Sequence, residues 1–394
     1  MLEKLVLQNF KSFKERTEIY FNKTNYSMLS QNVANNGILK GTLFVGPNAS
    51  GKSNILSAIK FLLDSLFENT NLNSDIYRCL FSNKDSFSIE YYFLINENHI
   101  VYTIDINQSR PYIEENLLLD DKLMFQRMGQ DAKSYIAYEE GQIFDKNDID
   151  EETLFLRTLY FNTKFKSNET LFKWMDFLRN SVYFNAHKSS KEWLDRASKE
   201  LDIISYLKDN GEDGINEFFE KYGFDQSIQF AHEAKSNYVT FIAGSNQDER
   251  RIYFRRKGID IPIPFVLESL GNQNLLQMLP SFFDVILEGG ILLIDEFSSG
   301  LHNDLEELLI RYFMDNSTNS QLIFVSHSTN LLSNSLLRPD QEYSVEFNGN
   351  NGSSVKRFSS EQPRMAQNVE KMYLSGVFGG LPHYEKGING DSNK

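Results

Sequence analysis

The sequence predicts an α/β fold, and three short apolar segments carry this prediction. They are GTLFV at 41–45, GGILLID at 289–295 and LIFVS at 322–326. Short continuous apolar runs that are bounded by turn residues are typical of buried strands. Apolar residues at helical spacing follow the first two runs, and strands that alternate with helices are typical of α/β proteins.

The composition limits the class of protein. The chain has 394 residues with 40 Lys and Arg against 54 Asp and Glu, so its net charge is −14. This length allows one large domain with an insertion or two domains. The acidic balance argues against a broad surface that coats nucleic acid, although it leaves a local basic groove possible. The sequence contains one cysteine and no secretory leader or apolar stretch of about 18 residues. We therefore expect a cytoplasmic protein with no internal disulfide framework and no membrane partner.

The first third of the chain predicts strands around one long helix. Leu5 and Leu7 alternate with polar neighbours, so residues 2–8 predict a strand. Residues 22–40 are rich in Asn and Ser and predict a long loop. Residues 86–127 predict antiparallel strands with short polar breaks between them. The helix after the first buried run has an apolar face that is formed by Ile55, Leu56, Ile59, Leu62, Leu63 and Leu66.

The pattern turns helical from about 150 to 235. One apolar stripe is formed by Leu171, Trp174, Met175 and Leu178, and residues 191–222 predict a second, more polar helical region. Strands are predicted at 238–244 and 251–258, and a hairpin at 343–358. We therefore divide the chain into an N-terminal part at 1–130, a mostly helical insertion at 131–235 and a C-terminal part at 236–394.

Residues 46–53, GPNASGKS, fit the phosphate-binding pattern G-x-x-x-x-G-K-[ST] completely. The glycines let backbone N–H groups turn toward phosphate oxygens, and the following helix adds its positive dipole end. Lys52 would reach the β- and γ-phosphates, and Ser53 would bind Mg²⁺. The alternative is a Gly-rich turn that binds nothing, but the strand before the motif and the helix after it favour the phosphate loop. The candidate nucleotide-binding residues are Gly46, Pro47, Asn48, Ala49, Ser50, Gly51, Lys52, Ser53 and Asn54.

A phosphate loop needs a carboxylate on the magnesium side and a group that orients the attacking water. Asp295 and Glu296 end the second apolar run and predict these two roles in that order. The alternative is a solvated strand end. His327 ends the third apolar run and could contact the γ-phosphate, although a histidine at a strand end is by itself more often structural. We predict Lys52, Glu296 and His327 as the catalytic residues, and Ser53 and Asp295 as the metal ligands.

In their order along the chain, these motifs resemble those of ATP-binding-cassette (ABC) ATPases. The branch with the best-fitting pattern contains chromosome-maintenance, recombination-repair and overcoming-lysogenisation-defect ATPases and their bacterial defence relatives. The resemblance implies a two-lobed ABC-type P-loop ATPase head with a mostly helical insertion, which binds ATP and Mg²⁺. Besides the phosphate loop, it rests on LQNFKSF at 7–13, LESLGNQNLL at 267–276, ILLIDEFSSGLH at 291–302, FVSHSTNLL at 324–332 and KMYLSGVFGGLPH at 371–383.

The resemblance also implies contacts between two copies of the chain. Ser269 and Gly271 occupy the position of the family's signature motif, which caps the ATP that is bound to the opposite subunit. Residues 298–301 would form the D-loop that crosses between subunits. Hydrolysis would then need a head-to-tail homodimer or a higher oligomer. The alternative is that Ser269 is only the N-cap of a helix.

The implied output is control of a separately encoded effector, a nuclease or toxin, in bacterial antiphage defence. A second hypothesis is a DNA-repair or recombination ATPase that binds DNA directly, and a third is a nucleotide-gated scaffold with negligible turnover. The basic segment 250–257 could grip a nucleic-acid backbone, or its charges could pair with nearby acids. Nucleic acid therefore stays a possible partner.

Overall fold

Two large sheets and the helices between and around them account for most of the described part of the chain. The computed structural model describes residues 1–68, 72, 76–110, 112–136, 144–147, 149–185, 202–237, 239–242 and 249–381. The strands are β1 Leu2–Gln8, β2 Thr17–Tyr20, β3 Gly41–Val45, β4 Ser86–Ile95, β5 Asn98–Asn107, β6 Tyr112–Leu119, β7 Lys122–Met128, β8 Asp131–Ser134, β9 Phe144–Asn147, β10 Val182–Asn185, β11 Gln226–Ala231, β12 Glu233–Lys235, β13 Thr240–Ile242, β14 Arg251–Arg256, β15 Ile259–Pro264, β16 Gly290–Asp295, β17 Ser320–Val325, β18 Glu342–Phe347 and β19 Ser353–Arg357. The helices are α1 Lys52–Phe67, α2 Phe155–Thr163, α3 Glu169–Arg179, α4 Ile203–Asn210, α5 Asp213–Lys221, α6 Leu270–Glu288, α7 Asn303–Asn316 and α8 Val369–Leu374.

The three apolar runs of the sequence lie side by side in one sheet with the order β10-β16-β17-β3-β18-β19. Its strands are parallel except for β19, which pairs antiparallel with β18. Alternate side chains of each strand pack into different cores. Phe44 and Leu293 face the core that contains α1, while Leu43 and Leu292 face the core that contains α6 and α7. Because both faces are covered, the strands are continuously apolar, as parallel sheets in α/β proteins are. The predicted α/β fold is confirmed.

The second large sheet is antiparallel and has the order β2-β1-β4-β5-β6-β7-β8-β9. Its strands alternate between buried and half-exposed residues, and the buried face packs on α1, α2 and α3. The hydroxyl of Tyr91 on β4 donates to the carbonyl oxygen of Ala58 on α1 at 2.6 Å. Helix α1 therefore lies between the two sheets and connects them. The predicted strands at 2–8 and 86–127 are confirmed.

Residues 131–235 contain helices α2–α5 together with strands that the sequence pattern did not predict. β10 pairs parallel with β16, and β11 pairs antiparallel with β14 in a three-stranded sheet with the order β11-β14-β15. The prediction that helical structure continues to 235 is wrong for β11 and β12. β11 alternates between buried Ile228 and Phe230 and half-exposed neighbours, which is the period of a strand.

The predicted division into three parts stays a prediction. β7 pairs with β8 across position 130, and β11 pairs with β14 across position 235, so a sheet spans each boundary. Residues 191–201 of the predicted helical region lie outside the described residues. Within the part of the chain that the structure describes, no helix is both long enough and apolar enough to cross a membrane.

Candidate functional site

The turn between β3 and α1 has a backbone conformation that only glycine adopts easily at two positions. Gly46 and Gly51 have φ angles of 150° and 106°. A Cβ on Gly46 would lie 2.3 Å from the carbonyl oxygen of Val345, and one on Gly51 would lie 2.4 Å from the Oγ of Ser353. The turn borders a cavity of about 380 Å³ that is lined by Asn48, Ala49, Ser50, Gly51, Lys52, Ser53, Asn54, Glu296, Val325 and His327.

Lys52 supplies positive charge to this turn. Its ammonium group donates to the carbonyl oxygens of Gly46 at 2.8 Å and Pro47 at 2.6 Å. Burial lowers the pKa of Lys52 to about 8, although the negative charges of Asp295 and Glu296 oppose the effect. The side chain is therefore mainly protonated at neutral pH and lies over the loop. A phosphate in the cavity would meet a cation that is already desolvated.

A hydroxyl at the start of α1 meets a carboxylate at the end of β16. The Ser53 hydroxyl donates to Asp295 Oδ1 at 2.9 Å, and the Tyr183 hydroxyl lies 3.4 Å from Asp295 Oδ2. They meet because β3 and β16 both flank β17, so their carboxyl ends lie on the same edge of the sheet. Burial raises the pKa of Asp295, whereas the hydrogen bond from Ser53 lowers it. Hydroxyl and carboxylate oxygens are ligands that Mg²⁺ accepts, so the pair is suited to hold that ion.

Glu296 and His327 line the same cavity as Lys52. Glu296 has a φ angle of 55°, which is uncommon for a residue other than glycine, and it begins a turn in which Ser299 N–H donates to its carbonyl oxygen at 2.9 Å. Partial burial and the positive charge of Lys52 lower the pKa of His327, while Glu296 and Asp295 oppose this change. The imidazole is therefore mainly neutral at pH 7. Lys52, Ser53, Glu296 and His327 thus line one cavity, and the remaining predicted metal ligand, Asp295, contacts Ser53.

Ser269 and Gly271 do not line this cavity. Ser269 is the N-cap of α6, where its Oγ accepts from Asn272 N–H at 3.3 Å, which is the contact that the alternative to the signature role describes. A Cβ on Gly271 would lie only 2.4 Å from the carbonyl oxygen of Gly300. The first turn of α6 therefore packs tightly on residues 298–301 of its own chain. The signature role of Ser269 and Gly271, and the D-loop role of 298–301, stay predictions.

No motif in the sequence marked Ser353, which contacts the phosphate loop. Its Oγ donates to the carbonyl oxygen of Ser50 at 2.6 Å. The hydroxyl of Ser50 is buried and has no hydrogen-bond partner among the described residues. A donor that is buried without a partner is costly, so it fits a site that a phosphate oxygen occupies. Tyr183 was missed as well, and neither residue has a local sequence signal.

Comparisons with known proteins identify a family and a fold. A family model described as "AAA domain, putative AbiEii toxin, Type IV TA system" matches residues 42–333. No protein with curated annotation matches the sequence. Among solved structures, an Smc head domain from Pyrococcus furiosus, which carries an extended coiled coil and is bound to the C-terminal domain of ScpA, is 14% identical with a TM-score of 0.50. The match covers 90% of this chain and 95% of that chain. The SMC head domain from Thermotoga maritima is 18% identical with a TM-score of 0.46, over 90% of this chain and 97% of that chain. The similarity to the Pyrococcus furiosus structure shows that the chain shares the α/β fold of an SMC head.

Proposed function

The chain belongs to the AAA-domain family whose description names a putative AbiEii toxin of a type IV toxin–antitoxin system, and we propose that it is an ABC-type ATPase. It binds ATP with Mg²⁺ at the phosphate loop and hydrolyses it to ADP and phosphate. The observation that carries this proposal is the 2.9 Å contact between Ser53 and Asp295 beside the buried ammonium of Lys52. These three groups come from the phosphate loop and from a separate strand, and they meet where a magnesium triphosphate needs them.

The main residues of the candidate site each have a proposed task. The turn at 46–51 and Lys52 bind the phosphates, and Ser53 and Asp295 would hold Mg²⁺, which neutralises phosphate charge when it is bound. Glu296 accepts a hydrogen bond from the attacking water and orients it. His327, which is neutral, contacts the γ-phosphate side of the cavity. Exclusion of bulk water strengthens these contacts, and a second protein surface over the open side of the cavity would supply that exclusion.

We assign this second surface to another copy of the chain. The first turn of α6 carries Ser269 and is flanked by three apolar side chains, Val266, Leu267 and Leu270, which are 77%, 72% and 62% exposed. Exposed apolar side chains that cluster on a surface are a common feature of interaction surfaces. In a head-to-tail homodimer, each of these surfaces would cover the phosphate loop of the partner, and two ATP molecules would lie between the heads.

The proposed output is control of a separately encoded effector in bacterial antiphage defence. The family description supports a toxin–antitoxin context, because it names a putative toxin of a type IV toxin–antitoxin system. We also propose that the protein acts in the cytoplasm, as the sequence predicts. A Glu296→Gln variant would hold the ATP-bound state, and a Lys52→Ala variant would not reach it. If the proposal is correct, the product of a neighbouring reading frame should co-purify differently with the two variants, and equal recovery would contradict it.

Direct binding of DNA is the second candidate, and the basic segment gives it little support. Arg255 Nη1 donates to the carbonyl oxygen of Asp260 at 3.1 Å, Arg256 pairs with Glu268 at 2.6 Å, and the Arg250 guanidinium lies 4.5 Å from the ring centre of Phe230. These side chains therefore have partners within the chain. Salt-dependent binding of duplex DNA by the purified protein would revive this candidate.

Phosphate release tests the ATPase assignment. Wild-type protein with Mg²⁺ should hydrolyse ATP. Glu296→Gln should reduce turnover by about 10²-fold or more, because the neutral amide cannot take up a proton from the attacking water as the carboxylate can. Glu220→Gln, which makes the same change on an exposed face of α5, is the matched control and should have wild-type turnover. Equal turnover of all three proteins would contradict the role of Glu296.

A further inference from the structure

The helix turn that carries Ser269 is held in place by an ion pair from the three-stranded sheet β11-β14-β15. Arg256 Nη2, on β14, donates to Glu268 Oε1 at 2.6 Å. The same carboxylate oxygen accepts from the backbone N–H of Ser269 at 2.8 Å. One oxygen therefore connects the guanidinium of the sheet to the N-cap residue of α6.

A second pair of side chains holds the same helix turn. The amides of Gln226 on β11 and Asn272 on α6 lie 3.2 and 3.5 Å from each other's oxygen atoms. Gln226 and Arg256 are opposite each other in the β11–β14 register. Arg256 and Gln226, which are neighbours in the sheet, therefore bond to Glu268 and Asn272. These two positions lie about one helical turn apart, on either side of Ser269 in the sequence.

The ion pair has little freedom to rearrange. The Glu268 side chain is 3% exposed, and its Oε2 has no hydrogen-bond partner among the described residues. Without Arg256, the carboxylate would keep a buried charge with much less compensation, and it would either take up a proton or move toward water. Either response would change the acceptor that now fixes the N–H of Ser269.

The start of the same helix also packs on the proposed D-loop. Asn274 Nδ2 donates to the carbonyl oxygen of Ser299 at 3.1 Å, and Gly271 lies against the carbonyl oxygen of Gly300. Contacts with the sheet and with the D-loop thus together fix the position of the helix start that carries Ser269.

We infer that Arg256 and Glu268 are positioning residues, which aim Ser269 at the triphosphate of a second copy of the chain. This inference rests on the proposed function as a dimeric ATPase. It gives the basic segment a task within the molecule, because its most firmly paired arginine holds the signature turn. Arg256 does not line the phosphate-loop cavity of its own chain, so its loss should affect turnover and leave nucleotide binding by a single head intact.

The test compares Arg256→Gln with Arg251→Gln, which makes the same change at an exposed position of the same strand. Three quantities are measured for each protein: the affinity of a fluorescent ATP analogue at low protein concentration, kcat for ATP, and the fraction of dimer with ATP in a Glu296→Gln background. We expect Arg256→Gln to lower kcat on the order of 10²-fold, as a misplaced group at a site does, with unchanged analogue affinity. Its dimer fraction should fall, Arg256→Lys should recover part of kcat, and Arg251→Gln should match wild type.

The outcomes separate this inference from the proposal beneath it. If wild-type protein neither dimerises with ATP nor hydrolyses it, the proposed function fails. If wild type does both and Arg256→Gln matches it, only the positioning role is overturned. A loss of kcat together with an equal loss of analogue affinity also overturns it, since that pattern indicates general damage. If Arg256→Gln does not fold, the same three quantities are measured for Gln226→Leu, which leaves no buried charge without a partner. An unchanged kcat in that variant would then overturn the positioning role.

Discussion

Glu306 should make the stability of the protein depend on pH in a way that a single substitution removes. This carboxyl lies in α7, is 1% exposed, and has Oε1 as the acceptor for the Ser328 hydroxyl at 3.2 Å. Ser328 directly follows His327, so the buried acid supports the loop that carries the proposed switch residue. Burial raises the pKa of Glu306 to about 7, the charge of Glu307 adds to this effect, and the bond from Ser328 opposes it.

The size of the effect follows from proton linkage. The pKa of Glu306 is about 7 in the folded protein against an ordinary value of 4.5. At about 1.4 kcal/mol for each pH unit, this difference corresponds to about 3 kcal/mol in the free energy of unfolding. Because the folded state binds the proton more tightly, the contribution is fully present below pH 4.5 and is lost as pH rises through 7. Between pH 5.5 and 8.5 the wild-type protein should lose about 2 kcal/mol from this group.

Glu306→Gln cannot titrate and should not show this loss. Denaturant unfolding of both proteins at pH 5.5 and 8.5 gives the difference in the free energy of unfolding at each pH, and other titrating groups cancel in the comparison. The difference should shift by about 2 kcal/mol in favour of the variant at the higher pH. A difference that stays constant between the two pH values would refute the assignment of a proton to Glu306. Glu220→Gln, at an exposed position, should show no such shift.

Two further predictions concern the phosphate loop. Gly51→Ala should weaken ATP binding by about 10-fold or more, because the added Cβ would lie 2.4 Å from the Oγ of Ser353. Gly223→Ala is the control and should bind ATP normally, because Gly223 also has a positive φ but no atom lies within 4 Å of its added Cβ. Equal loss in both variants, measured by titration with a fluorescent ATP analogue, would argue against the contact. The pKa of Lys52 is about 8, so its ammonium loses its proton as pH rises through this value, and ATP affinity should fall by roughly 10-fold between pH 7 and 9. An ATP affinity that stays constant over that range would contradict the role of the Lys52 charge.

Local sequence signals predict the centre of the fold and most of the candidate site. The apolar segments that form β3, β16 and β17 are continuously apolar because helices cover both faces of their sheet. The phosphate loop, Asp295 and Glu296 follow directly from these strands. Every one of these predictions uses residues that are close together in the sequence.

What could not be predicted depends on contacts between distant segments. β10 has only four residues, and its partner β16 is more than 100 positions away, so no local period marks it. Ser353 reaches the phosphate loop only because the hairpin β18–β19 lies next to β3. The predicted loop at 22–40 is irregular, as expected, but Asn32 is buried in it and bonds the side chain of Gln341 at 2.8 Å. Its composition gives no sign of that partner.

The central claim is that each active site is composed of two copies of the chain, and mixing two inactive variants tests it most directly. Lys52→Ala lacks a working phosphate loop, and Ser269→Ala lacks the group that would act on the partner's triphosphate. In a mixed dimer, the intact phosphate loop of the Ser269→Ala copy faces the intact Ser269 of the other copy. Each variant alone should be nearly inactive, and an equal mixture should regain roughly a quarter of the wild-type turnover, since half of the dimers are mixed and each of these has one complete site. Full turnover by Ser269→Ala alone, or no recovery on mixing, would contradict the account.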